Sequence, residues 1–240
     1  MVQRVELQPA YVLHSRPYRD SSLIVTLFSR DAGRIAGVVR GGRGARRRTG
    51  QHWQPFIPLL VSFQGGGGLK TFTAVEAQSP GWSLQGRVLY SGFYLNELLM
   101  RLVPEDDPHP GIYSAYQDFL AAVHGDAAVL EPQLRQFEFA LLEELGYAVP
   151  FETEAESGAP LETQCHYRFV PERGFLALPE GARVTQDCFI GEVLIGISQR
   201  QFQIDAVRRT AKRLTRLALK PLLGNKPLKS REFFTGLSSQ

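Results

Sequence analysis

The chain has 240 residues, of which 43% are hydrophobic and 21% charged, enough apolar material for a real core and too much for whole-chain disorder. Formal net charge is only +3, yet sixteen of the 27 Lys and Arg fall in two spans, residues 32–75 and 206–231, that contain none of the 24 acids. Two cysteines exclude a disulfide framework and a four-thiolate zinc site, and no run approaches the ~18 apolar residues of a transmembrane helix.

Such charge segregation builds a local positive field while the rest of the chain stays net acidic, which suits a protein that holds a phosphate backbone on one face. The amino terminus lacks the apolar run of a signal peptide, so the expected location is the cytoplasm.

Taken in order, the first third shows short apolar runs near residues 11–13, 23–28, 34–39, 56–63 and 69–77. Turn signals at 16–20, 29–33 and 65–68 separate them. About five strands in so short a span predict a small closed β-barrel such as the OB-fold, over residues 1–80. The first acid-free span lies inside it and carries Arg34, Arg40, Arg43, Arg46, Arg47, Arg48 and Lys70. From Arg40 to Arg48, five guanidinium groups alternate with glycines between two strand-like runs, which predicts a long inter-strand loop facing a polyanion. Barrels of this kind grip single strands through a basic groove and aromatic platforms. Tyr18, Trp53 and Phe72 are the candidates; for all three the competing reading is barrel core.

From residue 81 onward the apolar spacing becomes helical. One helix reads through Val88, Leu95, Leu98, Leu99 and Leu102 to a stop at Pro104. A second spans 110–124 with Gly125 at its end, and a third starts near Pro132 and stops at Gly146. An acidic loop at 152–162 precedes a β-hairpin through residues 167–169 and 175–177, within an insertion near 151–182. The last strong helix starts near Asp205, carries Arg209, Lys212, Arg213, Arg216 and Lys220 on one side with no acid interspersed, and is expected to end at Pro221. Arg209 and Arg213 join the barrel cations as expected phosphate contacts. The fold class is therefore α+β, an amino-terminal OB-fold barrel followed by a mainly helical domain, residues 81–240, with a small hairpin insertion.

No catalytic constellation stands out. The five histidines are scattered, Gly224-Asn225-Lys226 lacks the flanks of a phosphate loop, and adjacent Cys165 and His166 do not face each other as a nucleophile and base must. The expectation is a binder, with no enzyme activity and no cofactor.

The chain resembles the bacterial RecO recombination mediators in Tyr11-Val12-Leu13-His14-Ser15-Arg16-Pro17, in the Gly-Arg loop followed by Gln54-Pro55-Phe56, and in Tyr94-Leu95-Asn96-Glu97-Leu98-Leu99. The likeness continues through Arg135-Gln136-Phe137-Glu138, Leu141-Leu142-Glu143-Glu144-Leu145-Gly146-Tyr147, Leu219-Lys220-Pro221-Leu222-Leu223 and Lys229-Ser230-Arg231-Glu232, in family order. The resemblance implies a non-catalytic role in DNA repair: binding single- and double-stranded DNA, annealing complementary strands, and working with RecR to load RecA onto strands coated by single-strand-binding protein. Where some members carry a four-cysteine zinc module, this chain has only Cys165 and Cys188, so no metal is expected. For the acidic, apolar-ended tail of single-strand-binding protein, the expected receptor is Arg135 with Phe139 and Leu142, helped by Arg216 or Lys220; the competing reading is that Arg135 pairs with Glu131 or Glu138 on its own helix. Two other readings of the same charges stay open: an OB-fold factor for ribosomal or transfer RNA, and a membrane-surface protein, which the lack of Trp and Phe on the basic helix disfavours.

Overall fold

The computed structural model describes residues 4–41 and 52–235. Five strands, β1 (Arg4–Tyr18), β2 (Ser22–Ser29), β3 (Gly33–Val39), β4 (Leu59–Gln64) and β5 (Lys70–Ala77), close into a barrel in the order β1-β2-β3-β5-β4. The β3–β5 pair is parallel and the others antiparallel. This is the expected OB-fold. Alternation on β2 and β3 sends Val25, Leu27, Ile35 and Val39 inward, where they meet Val12, Leu59, Val61, Phe63 and Phe72. Trp53 completes that core, its ring 5.3 Å from that of Phe72, so both aromatics take the core role. Gly37 is required beneath this stack, because a Cβ there would lie 2.6 Å from the Phe72 ring.

Residues 16–18 belong to β1 rather than to a turn. β4 covers the other edge of β1 only from Arg4 to Ala10, so at Pro17 the strand is an edge, where the missing N–H costs no ladder bond. The fourth strand begins at Leu59 and not at Phe56, which holds a positive φ of 68° and tucks its ring against Gly92 of the first helix.

Helices α1 (Gly86–Leu102) and α2 (Pro110–Gly125) follow. The segment between them is fastened to the barrel: Arg34 donates to the Val103 carbonyl at 2.8 Å and to Glu105 at 3.0 Å, and Lys70 meets Asp106 at 2.7 Å. Gly33, at φ 68°, makes the approach possible, since a Cβ would stand 2.2 Å from the Asp107 carbonyl oxygen.

By internal packing the chain divides into two compact units, residues 1–125 with 228–240, and residues 126–227. The second unit holds α3 (Leu130–Glu144), a three-stranded sheet in the order β7-β6-β8, and helices α4 (Gly191–Ser198) and α5 (Asp205–Leu223). Strands β6 (His166–Val170) and β7 (Gly174–Ala177) are the predicted hairpin; β8 (Cys188–Ile190) and α4 were not foreseen. Pro221 lies inside α5 rather than ending it. In the last turn a proline forfeits one backbone bond, and Gly224, at φ 63°, closes the helix by donating to the Lys220 carbonyl.

The turn before this sheet is organised by one carboxylate. Glu154 accepts from the Ser157 hydroxyl and N–H, both at 2.6 Å, from Glu156 N–H at 3.1 Å and from Ala177 N–H at 3.3 Å. The final helix, α6 (Ser230–Thr235), returns to the first unit, where Glu97 of α1 accepts from the Lys229 and Ser230 N–H groups at 2.9 and 2.8 Å and from the Ser230 hydroxyl at 2.7 Å. No helix among the described residues is long and apolar enough to cross a membrane.

Candidate nucleic-acid interface

The outer surface of the β1–β2–β3 sheet is divided by its own sequence. Cross-strand neighbours share a face, so the inward Val25 and Leu27 put Ile24 and Thr26 outward, together with their β1 partners Arg16 and His14. A bulge at Leu13 restores this phase after Val12. At one end Tyr11 and Phe28 lie under α2, with Tyr113 5.6 and 5.8 Å from them and Tyr116 5.2 Å from Tyr11. The bulge is pinned there: Asn96 donates to the Leu13 carbonyl at 3.2 Å, and the Tyr116 hydroxyl donates to Asn96 at 2.6 Å. Burial holds the Tyr116 phenol well above its ordinary range, so it remains a donor.

At the other end the face is open. His14, Arg16 and Tyr18 project at positions i, i+2 and i+4 of β1, beside Ile24 of β2 and Val38 of β3. Arg40 follows two residues after Val38, exposed, where the chain leaves β3 toward the basic loop. Arg16 and Arg40 have no ion-pair or hydrogen-bond partner among the described residues. The Arg19 guanidinium lies over the half-buried Tyr18 ring, 5.1 Å from its centre, a cation–π contact on one face of the ring. Two exposed cations and a partly exposed aromatic ring suit a flexible polyanion with stackable bases.

Other sequence candidates sit elsewhere. Arg34 and Lys70 are engaged in holding the α1–α2 connection, and Lys70 is only 6% exposed. Their charge partners, Glu105 and Asp106, come from outside the acid-free span. Arg43, Arg46, Arg47 and Arg48 lie outside the described residues. Trp53 is enclosed in the barrel and offers no platform.

In the second unit, Arg209, Arg213, Arg216 and Lys220 form one stripe along α5, about 16 Å long at 1.5 Å per residue. The helix is less free of acids than its sequence implies. Arg209 pairs with Asp205 at 2.5 Å, Arg208 with the same carboxylate at 2.7 Å, and Lys212 with Glu131 of α3 at 3.1 Å. Arg213 donates to the Cys188 carbonyl at 2.9 Å and lies 4.5 Å over the Phe189 ring, whereas Arg216 and Lys220 are exposed and unpartnered among the described residues.

The anticipated tail receptor is not gathered into one open pocket. Arg135 is 3% exposed and pairs with Glu138 at 3.0 Å, while Phe139 and Leu142 are buried, Phe139 against Phe202. Cys165 and Cys188 are free thiols set apart by the sheet: Cys188 lies opposite Arg168, and the Cys165 carbonyl accepts from Gly191, beyond the far end of β8. No group of three or more His, Cys, Asp or Glu among the described residues could hold a metal, so the residues present do not fit the zinc module of some relatives.

Two family models match the chain, Recombination protein O N terminal over residues 3–80 and Recombination protein O C terminal over residues 84–232. The chain belongs to the Recombination protein O family. It is 45% identical over 232 residues to the DNA repair protein RecO of Cellvibrio japonicus, covering 97% of this chain and 98% of that one. To the DNA repair proteins RecO of Haemophilus influenzae (strain 86-028NP) and Tolumonas auensis it is 44% and 41% identical, over 96% of this chain in each case and 96% and 95% of theirs. Within this RecO framework the open barrel face lies under the amino-terminal model and the α5 stripe under the carboxy-terminal one. Sequence reasoning missed Arg16 and His14. The signal was their period-two spacing with Tyr18, which the reading of residues 16–20 as a turn concealed.

Proposed function

We propose that the chain is a non-catalytic DNA-binding recombination mediator. It binds single- and double-stranded DNA, anneals complementary strands and, with RecR, helps load RecA onto DNA coated by single-strand-binding protein. The observation that carries the DNA reading is the open end of the β1–β2–β3 face, where Arg16 and Arg40, unpaired among the described residues, share a surface with Tyr18 just before the Gly-Arg stretch. Phosphate contacts supply affinity, and an aromatic platform adds contacts that only unpaired bases can make. Arg43, Arg46, Arg47 and Arg48 extend the same basic tract in sequence, and Arg209 and Arg213 on α5 are offered as further phosphate contacts. For the acidic tail of single-strand-binding protein, Arg216 and Lys220 are the exposed members of the receptor set.

The test is annealing of complementary strands, bare and coated with single-strand-binding protein, with and without RecR. Wild-type protein should accelerate both reactions, and an Arg16→Ala, Arg40→Ala, Tyr18→Ala variant should lose most of the acceleration while melting normally. Undiminished annealing by that variant would remove the barrel face from the reading; no annealing by the wild type would remove the function.

A further inference from the structure

Toward its end the apolar face of α5 is only partly covered: Ala218 is buried, Leu222 half-buried and Pro221 exposed. At about 100° per residue these three share one side of the helix, and Arg209, Arg213, Arg216 and Lys220 lie on the other. On the apolar side they wall a pocket of about 250 Å³ with Tyr147 and Pro150, which follow α3, and with Phe169, Pro171 and Glu172 of the β6–β7 hairpin. The whole wall belongs to the second unit. Gly174 lets it close, because a Cβ there would stand 2.8 Å from the Pro150 ring.

Three features of the pocket favour positive charge. Glu172, exposed on the hairpin turn at φ 66°, is the charged residue of the wall, and its carboxylate has no ion-pair or hydrogen-bond partner among the described residues. The neighbouring Arg173 is engaged with Glu156 at 3.3 Å. The carboxyl end of α5 brings the negative pole of its dipole to the wall, and Pro221 lacks the N–H that the Leu217 carbonyl would otherwise accept from. Phe169 and the 45% exposed Tyr147 add aromatic rings, whose faces attract cations. An anion would be repelled, and an uncharged ligand would desolvate the Glu172 carboxylate without a partner. The volume falls below the ~300 Å³ of small ligand sites and suits one side chain rather than a cofactor. A guanidinium lies flat on an aromatic ring and forks onto a carboxylate, and its apolar stem matches the three prolines. We propose that this pocket receives an arginine side chain presented by a partner protein, with the guanidinium at Glu172 and the stem along Tyr147 and the prolines. Neither Glu172 nor Tyr147 is a proposed DNA contact, so the proposal stands apart from the DNA reading.

Blocked tripeptides Gly-Arg-Gly, Gly-Lys-Gly and Gly-citrulline-Gly, titrated at millimolar concentration into the full chain, test it by backbone amide NMR. The arginine peptide should shift the Tyr147, Phe169 and Gly174 amides. Citrulline keeps the shape and loses the charge, so its peptide should bind about threefold or more weakly, with lysine between the two. Glu172→Gln, a change of charge alone on an exposed turn, should lower the arginine peptide to the citrulline level, and Tyr147→Ala should weaken both peptides. Each variant's spectrum should match wild type away from the pocket, and each should keep wild-type affinity for oligo-dT. Equal binding of the arginine and citrulline peptides overturns the assignment. Preference for an acidic peptide ending in a free carboxylate makes the pocket an anion receptor and overturns it too. Unmoved amides at all three positions overturn the proposal outright, and loss of oligo-dT binding in Glu172→Gln overturns its separation from DNA.

Discussion

Replacing Glu138 by glutamine should be among the most damaging single changes in the second unit. In the α3–α5 interface the Glu138 carboxylate faces the Arg135 guanidinium at 3.0 Å and accepts from the Thr215 hydroxyl at 2.5 Å; all three residues are at most 3% exposed. Arg135 Nε already lacks a partner, so the neutral variant leaves a buried guanidinium with little to offset its desolvation. Removing one member of a buried ion pair costs about 3–5 kcal/mol, a fifth or more of the roughly 5–15 kcal/mol that holds a typical domain. Replacing both partners, Arg135→Met with Glu138→Leu, removes the stranded charge and should recover most of that loss. Trp53 and Trp82 both lie in the first unit, so fluorescence cannot report this transition. Hydrogen exchange at α3 and α5 amides during urea denaturation can. A cost below about 1 kcal/mol for Glu138→Gln, or a double variant no better than the single one, would refute the reasoning. It would also revive Arg135 as a group free to receive a partner's carboxylate.

Gly37→Ala should destabilise the barrel by about 1–3 kcal/mol in urea unfolding read by Trp53 fluorescence, because the new methyl meets a Phe72 ring wedged between Trp53 and Phe63. Arg16→Ala with Arg40→Ala should flatten the log-log salt dependence of single-strand binding by about 1.4, at ~0.7 per phosphate contact; an unchanged slope assigns both cations to mere solubility. The Ser157 hydroxyl and N–H, outweighing a small burial penalty, hold the Glu154 carboxyl at about 2 against an ordinary 4.5. Its pKa is depressed on folding, so its contribution is complete above pH 4.5 and drains away as pH falls toward 2. Exchange protection of the Ala155 and Ala177 amides should follow that window and lose its pH dependence there in Glu154→Gln. Elemental analysis should find no stoichiometric zinc, and chelator should leave the melting temperature unchanged; one zinc per chain would contradict the thiol geometry.

The barrel was legible because its signals are local: inward residues at period two, and turns rich in glycine and aspartate between them. The misassigned cations show where local reading stops. Lys70 sits in a span without acids, but its partner Asp106 arrives from the far end of α1, and a charge run says nothing about such meetings. Trp53 stands among polar neighbours in sequence yet closes the core, because the chain returning to β4 must cover the barrel with something large. Residues 188–198 form an almost unbroken apolar run that neither period resolves, and the structure divides it into β8 and α4 at Gly191. On α5 the cationic stripe was plain, whereas the Lys212–Glu131 pair depends on which helix packs beside it.

The return of α6 to α1 gives the order of synthesis a structural meaning. The second unit is spelled between two pieces of the first, so a ribosome delivers residues 228–235 only after all of residues 126–227. Until then the Glu97 carboxylate waits without the Lys229 and Ser230 donors, and Tyr90 without the Phe233 ring that stacks on it at 5.4 Å. The barrel unit is begun first and finished last.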